Sequence, residues 1–96
     1  MRVAELLRLR PGDPVRLLRG AGRYPHFILG AGATGVISSN ELEPDLHWGT
    51  LWVRIDEHVP GAEEWDNRVS FSIDFYGSLE AIAECLEGAI TVEIKV

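Results

Sequence analysis

The chain has a single cysteine and no apolar run of membrane-spanning length, and each shortage removes a class of protein. A lone Cys85 can form no internal disulfide, so a core rather than staples must hold the fold, and a reducing cytoplasm is the expected compartment. A bilayer-crossing helix needs about 20 consecutive apolar residues, and the chain offers none. Residues 1–10, MRVAELLRLR, are basic but too weakly apolar for a secretory signal, and no small-residue cleavage site follows. Positive charge is also short. Nine Lys and Arg stand against fifteen Asp and Glu, a net charge of −6 that disfavours bulk attraction to nucleic acid. What remains is a single expected domain over residues 1–96, without repeats or low-complexity tracts, long enough to bury roughly 60–70% of its unfolded surface.

The charges that are present segregate. Residues 1–23 carry Arg2, Arg8, Arg10, Arg16, Arg19 and Arg23 against Glu5 and Asp13, a balance of +4. Residues 24–96 carry Arg54, Arg68 and Lys95 against thirteen acids, a balance of −10. Such separation means either a match across the fold or two charged faces for partners.

Periodicity divides the chain into short elements. Val3, Leu6 and Leu7 have the i, i+3, i+4 spacing of one or two helical turns, stopped by Pro11-Gly12-Asp13-Pro14. "PVRLLRG" reads as a first strand. Residues 20–32, GAGRYPHFILGAG, form a long excursion loop that pairs briefly. Val36 and Ile37 belong to a second strand, and residues 40–45 read as irregular. "GTLWVRID" is a third strand, with Leu51, Val53 and Ile55 on one face and Trp52, Arg54 and Asp56 on the other. After a Pro60-Gly61 turn and an acidic loop, "RVSFSIDFYG" alternates Val69, Phe71, Ile73 and Phe75 with polar residues and predicts a fourth strand. Ser78 caps a predicted helix over 79–87, whose stripe is Leu79, Ile82, Ala83 and Leu86, and Gly88 ends it. "AITVEIKV" alternates as a final strand. Phe71, Ile73, Val53, Ile55, Val92 and Ile94 are expected to share one core.

Five short strands with a helix before the last resemble the small SH3-like β-barrel over residues 11–96. "LRPGDPVRLL" is similar to the opening turn and first strand of many bacterial members, "GAGATGVI" to their G-x-x-G-x-V turn into the second strand, and "LWVRID" to the third. The resemblance implies a mainly β, five-stranded, partly open barrel with one or two short helices, and a long loop between strands one and two. It also implies a non-enzymatic binding role. SH3-type peptide binders read proline helices with aromatics, but this chain lacks their acidic-aromatic motif in the first loop and their tandem Trp at the third strand. Barrels of the KOW type bind RNA or ribosomal partners through basic loops, for which Arg16, Arg19 and Arg23 are the counterparts here, against the remaining charge of −10.

"GAGATG", residues 30–35, matches the G-x-G-x-x-G dinucleotide fingerprint, which works only between a strand and the helix it feeds. Ser38-Ser39-Asn40 and Pro44 follow, so no helix opens there and Gly32 and Gly35 are expected to serve a tight turn. His26, His47 and His58 lie 21 and 11 residues apart, without the short fixed spacings of zinc ligands, so neither metal nor cofactor is expected. Cys85 has no base at helical spacing and flanks the apolar stripe about 60° from Ile82, a boundary position for a small hydrophobe. A small metal-dependent enzyme is the weakest reading.

The aromatics carry more. Trp48 and Trp52 share parity with Arg54, opposite the apolar face of the third strand, and so point outward. Either the N-terminal turns or the helix covers them, or Trp48, Trp52, Arg54 and Tyr24 form a partner-binding patch, since Trp and Arg are favoured interface anchors. The expected function is a module binding a protein partner or a second copy of itself through this face. The alternative is a nucleic-acid module using the Arg-rich first strand. Finally, Glu80, Glu84 and Glu87 line one side of the predicted helix with no cation between them. Like charges so spaced repel, so the ridge is either solvated or faces Arg8, Arg10, Arg16 and Arg19 in this molecule or a second copy.

Overall fold

The computed structural model describes residues 1–23, 25–45 and 48–89. It opens with α1 (Val3–Arg8), whose Leu6 is fully buried. The side-chain amide of Asn40 donates to the carbonyls of Leu6 (3.1 Å) and Leu9 (3.0 Å), tying the helix end to β4. Gly12, at φ +93°, then turns the chain into β1 (Pro14–Leu17).

The excursion loop is a small hairpin of β2 (Ala21–Arg23) and β3 (Phe27–Leu29). Next come β4 (Thr34–Asn40), β5 (Thr50–Ile55), a 3-10 turn at Glu63–Trp65, and β6 (Arg68–Ser72). Two short helices, α2 (Ile73–Tyr76) and α3 (Leu79–Ala83), lead to β7 (Leu86–Gly88). The fold is mixed α/β. Its five-stranded sheet has the order β6-β5-β4-β1-β7, every neighbour antiparallel, with a helix before the last strand. This is consistent with an SH3-like topology in general. β6 and β7 are the two edges, and among the described residues no ladder joins them into a closed barrel.

The buried side chains form one cluster, in which Leu6, Val15, Leu17, Ile37, Leu51, Val53, Val69, Phe71, Ile82 and Leu86 are almost wholly enclosed. Each such side chain contributes about 1.5–3 kcal/mol relative to exposure. Val53, Ile55, Phe71 and Ile73 lie in the core as expected, whereas Val92 and Ile94 fall outside the described residues. GAGATG joins β3 to β4 with no helix behind it. Gly32 takes φ +95°, and a Cβ on Gly35 would collide with the carbonyl oxygen of Arg54, so two glycines give a turn and a close strand approach.

Two expected elements end early. The strand expected over 68–77 stops at Ser72, because the Ser72 hydroxyl accepts from the N–H of Phe75 (3.3 Å) and caps α2. Gly77 at φ +89° ends that turn. Phe75, expected to alternate inward, is instead 84% exposed. The helix expected over 79–87 spans only Leu79–Ala83, and Glu87 and Gly88 are strand residues paired with Arg16 and Val15. Gly88 therefore does not end a helix. The open edge of β1 offers main-chain partners there, and Leu86 is buried from the strand rather than from a helical stripe. The strand expected over 89–96 lies, beyond Ala89, outside the described residues.

Candidate functional site

Leu51, Val53 and Ile55 face the core, which turns Trp52 and Arg54 to the opposite side of β5. Trp52 is half-buried there, and other side chains lie over its ring. Two guanidinium groups do so: Arg68 lies 4.9 Å and Arg23 5.9 Å from its ring centroid. Arg23 also lies 5.3 Å from the ring of Trp65. The order along this surface is Trp65, Arg23, Trp52, Arg68. Each such contact is worth about 0.5–1 kcal/mol at an exposed site.

Trp65 owes its place to the loop between β5 and β6. Gly61, at φ +92°, runs so close to the hairpin that a Cβ would collide with the carbonyl oxygen of His26. The ring of Trp65 then meets His26 (4.9 Å) and Phe27 (5.8 Å). Asp66 and Asn67 follow in left-handed conformation, φ 54° and 57°, which Asp and Asn tolerate better than most residues. The Asn67 amide accepts from the N–H of Val59 and donates to the carbonyls of Ile55 and Glu57, all at 2.8 Å. Arg54 and Arg68 are direct cross-strand partners, a repulsive pairing. Asp66 offsets it by pairing with Arg54 at 2.7 Å, while Arg68 donates through Nε to the Trp65 carbonyl (3.1 Å).

Between the hairpin and the β6–α2 segment lies a groove of about 630 Å³. Ser70 and Ser72 from β6 meet Gly22, Arg23, His26 and Trp65 on one side and Phe75 and Tyr76 on the other. No Asp or Glu is among these lining residues, although the chain is strongly acidic. Phe75 stacks edge-on against Tyr76 (5.2 Å), and Tyr76 packs on buried Phe71 (5.5 Å). Burial first, and Cys85 nearby second, push the Tyr76 hydroxyl above its ordinary pKa. Across the hairpin from Gly22, Ile28 is 69% exposed and lines a second groove with Val59 and Pro60.

The remaining expected site residues are dispersed. Trp48 is exposed, but it lies outside β5 in a single bridge to Glu43, because Gly49 at φ +132° interrupts the strand. Shared parity therefore does not link it to Trp52, and among the described residues it makes no ring contact. Tyr24 and His47 lie outside the described residues. Arg16 pairs with Glu87 (3.1 Å) and Arg19 with Glu84 (3.4 Å), whereas Arg23 has no ion pair among the described residues. His58 lies 3.5 Å from Glu63. Among the described residues no group of three His, Cys, Asp or Glu side chains is placed to hold a metal. The thiol of Cys85 is buried and donates to the Ala81 carbonyl (3.3 Å). Burial raises its pKa, Arg19 lowers it less, and Glu84 raises it, so the thiol stays protonated and unreactive near neutral pH.

Trp65, Arg68 and Phe75 escaped the sequence reading. For Trp65 the available signal was the Asp-Asn pair behind it, a left-handed turn that follows a ring packed on the hairpin. Among the described residues no helix is long and apolar enough to cross a membrane. Comparison with protein-family models, with curated proteins and with solved structures finds no match in any of the three.

Proposed function

We propose that this chain is a non-enzymatic binding module of the SH3-like barrel type, which engages a protein partner or a second copy of itself through its outward aromatic face. The observation that carries this reading is Phe75, 84% exposed at the lip of a groove walled by Trp65 and Tyr76. A large ring held in water beside other rings is the form of an interface anchor awaiting its pocket. Trp52 adjoins the groove through Arg23, which lies over both it and Trp65, Arg54 stands beside it on β5, and Ile28 extends the exposed apolar surface to the other side of the hairpin. The nucleic-acid alternative is weaker, because Arg16 and Arg19 are already matched by Glu87 and Glu84.

The test compares the wild-type chain with Phe75→Ser and with Arg16→Ala/Arg19→Ala, by sedimentation and by capture from nuclease-treated lysate. Phe75→Ser should abolish the association and leave the unfolding transition unchanged, while nuclease and the double variant leave the association intact. Association that survives Phe75→Ser but disappears with nuclease would overturn the reading.

A further inference from the structure

β6 is an outer strand of the sheet, and its ladder to β5 uses alternate residues. Ile55 N–H donates to the Asn67 carbonyl (3.0 Å) and Ile73 N–H to the Gly49 carbonyl (3.1 Å). With the register constant between them, Val69 and Phe71 are the positions bonded to β5. The main-chain groups of Arg68 and Ser70, and the N–H of Ser72, therefore point away from the sheet. Among the described residues none of them makes a backbone hydrogen bond. Natural edges are usually blunted by proline, lysine or a bulge, and β6 has none of these. Its protections are its shortness, the charge of Arg68 and the hairpin strand β2, which runs near it without a backbone hydrogen bond to it among the described residues.

The same serines line the acid-free groove, so unpaired main chain and an unpaired cation occur together. The guanidinium of Arg23 lies over two indoles, 5.9 Å from the Trp52 ring centroid and 5.3 Å from that of Trp65, with no carboxylate partner among the described residues. A planar fork fixed in this way matches a carboxylate better than a mobile one, because less freedom is lost when the pair forms.

We propose that β6 is the docking edge for an extended, carboxylate-bearing segment of a partner protein, which adds as a further strand and sets its acidic side chain on Arg23. This rests on the protein-binding reading above and names the partner's chemistry. A strand presents main-chain donors and acceptors at the same two-residue repeat as Arg68, Ser70 and Ser72, and its alternate side chains fall into the groove or outside it. Phe75 is placed to cover an apolar side chain of the added strand. A nucleic acid would use Arg23 but would leave the edge unpaired.

Selection from a displayed library of random peptides about seven residues long, the length of an ordinary strand, tests this. The expected winners carry Asp or Glu among β-branched and aromatic residues. A winner made synthetically should bind Arg23→Ala about tenfold more weakly, as expected for the loss of one charge-assisted contact. Arg23→Glu should exchange the acidic preference for a basic one. Because Ser70→Pro, which removes an edge donor, risks misfolding, the peptide is also made with alternate backbone nitrogens methylated, and this should abolish binding. Proline-rich or basic winners, or winners indifferent to methylation, overturn strand addition. If such winners still need Phe75, the aromatic-face module stands. If no peptide is selected and a single-stranded RNA binds through Arg23, both readings fall.

Discussion

The guanidinium of Arg16 on β1 lies 3.1 Å from the carboxylate of Glu87, its direct partner on β7. Arg19 reaches Glu84 at 3.4 Å just beyond. Two acids of the ridge, Glu84 and Glu87, are therefore matched within the molecule by arginines of the N-terminal segment. Both pairs are solvent-exposed, and such pairs are worth about 0–1 kcal/mol. Glu84→Lys should lower stability by a few tenths of a kcal/mol in urea denaturation, with the deficit shrinking as salt rises. Greater stability of the variant at every salt concentration would show that Arg19 gains nothing from Glu84.

Asn67 fixes the loop that presents Trp65. Asn67→Ala removes three side-chain hydrogen bonds and places a Cβ residue without a compensating amide at φ 57°. The expected loss is about 2–4 kcal/mol, from a left-handed backbone and unpaired main-chain groups. Asn67→Gly relieves the backbone part alone and should fall between wild type and Ala. Equal stability of all three in thermal unfolding would contradict the role assigned to the amide.

Phe71 is fully buried, and Tyr76 stacks against it. Phe71→Ala should cost about 3–5 kcal/mol, the range for removing a core ring. A loss below about 1 kcal/mol in equilibrium denaturation would mean that the inward parity of β6 is wrong.

Alkaline stability follows from Cys85 and Tyr76. Both are held above their ordinary values of 9.0 and 10.0, chiefly by burial. A raised folded pKa means the native state keeps protons that the unfolded chain has released, so stability is complete below those ordinary values and falls as pH climbs past them. Denaturation midpoints should be flat near neutrality and decline from about pH 9, with Cys85→Ala removing the earlier part of the decline. A midpoint rising through that window would contradict the sign.

Much of the fold was legible because strand alternation and turn residues are local. Leu51, Val53 and Ile55 give their face directly, and Gly32 announces its turn. The Ser72 cap was hidden inside a perfect alternation: one hydroxyl bonded to the Phe75 N–H outweighs the period-two pattern and turns a core-like Phe into a surface one. The shortened helix is a tertiary effect, since Leu86 and Glu87 gain a strand partner in β1 that no local pattern contains. Of the expected patch, only Trp52 and Arg54 lie together on one face of β5. Arg23 comes from the hairpin and Arg68 from β6, and only the docking of the hairpin brings Arg23 onto the indole that Arg68 already meets and onto Trp65.

Amide hydrogen exchange along β6 in the free protein tests the central claim, an unpaired strand edge beside an aromatic groove, most directly. Val69 and Phe71, bonded to β5, should exchange slowly, and Ser70 and Ser72, facing the open edge, should exchange at least about a hundredfold faster. Equally slow exchange at all four would show that the edge is already covered and that the groove is no docking site.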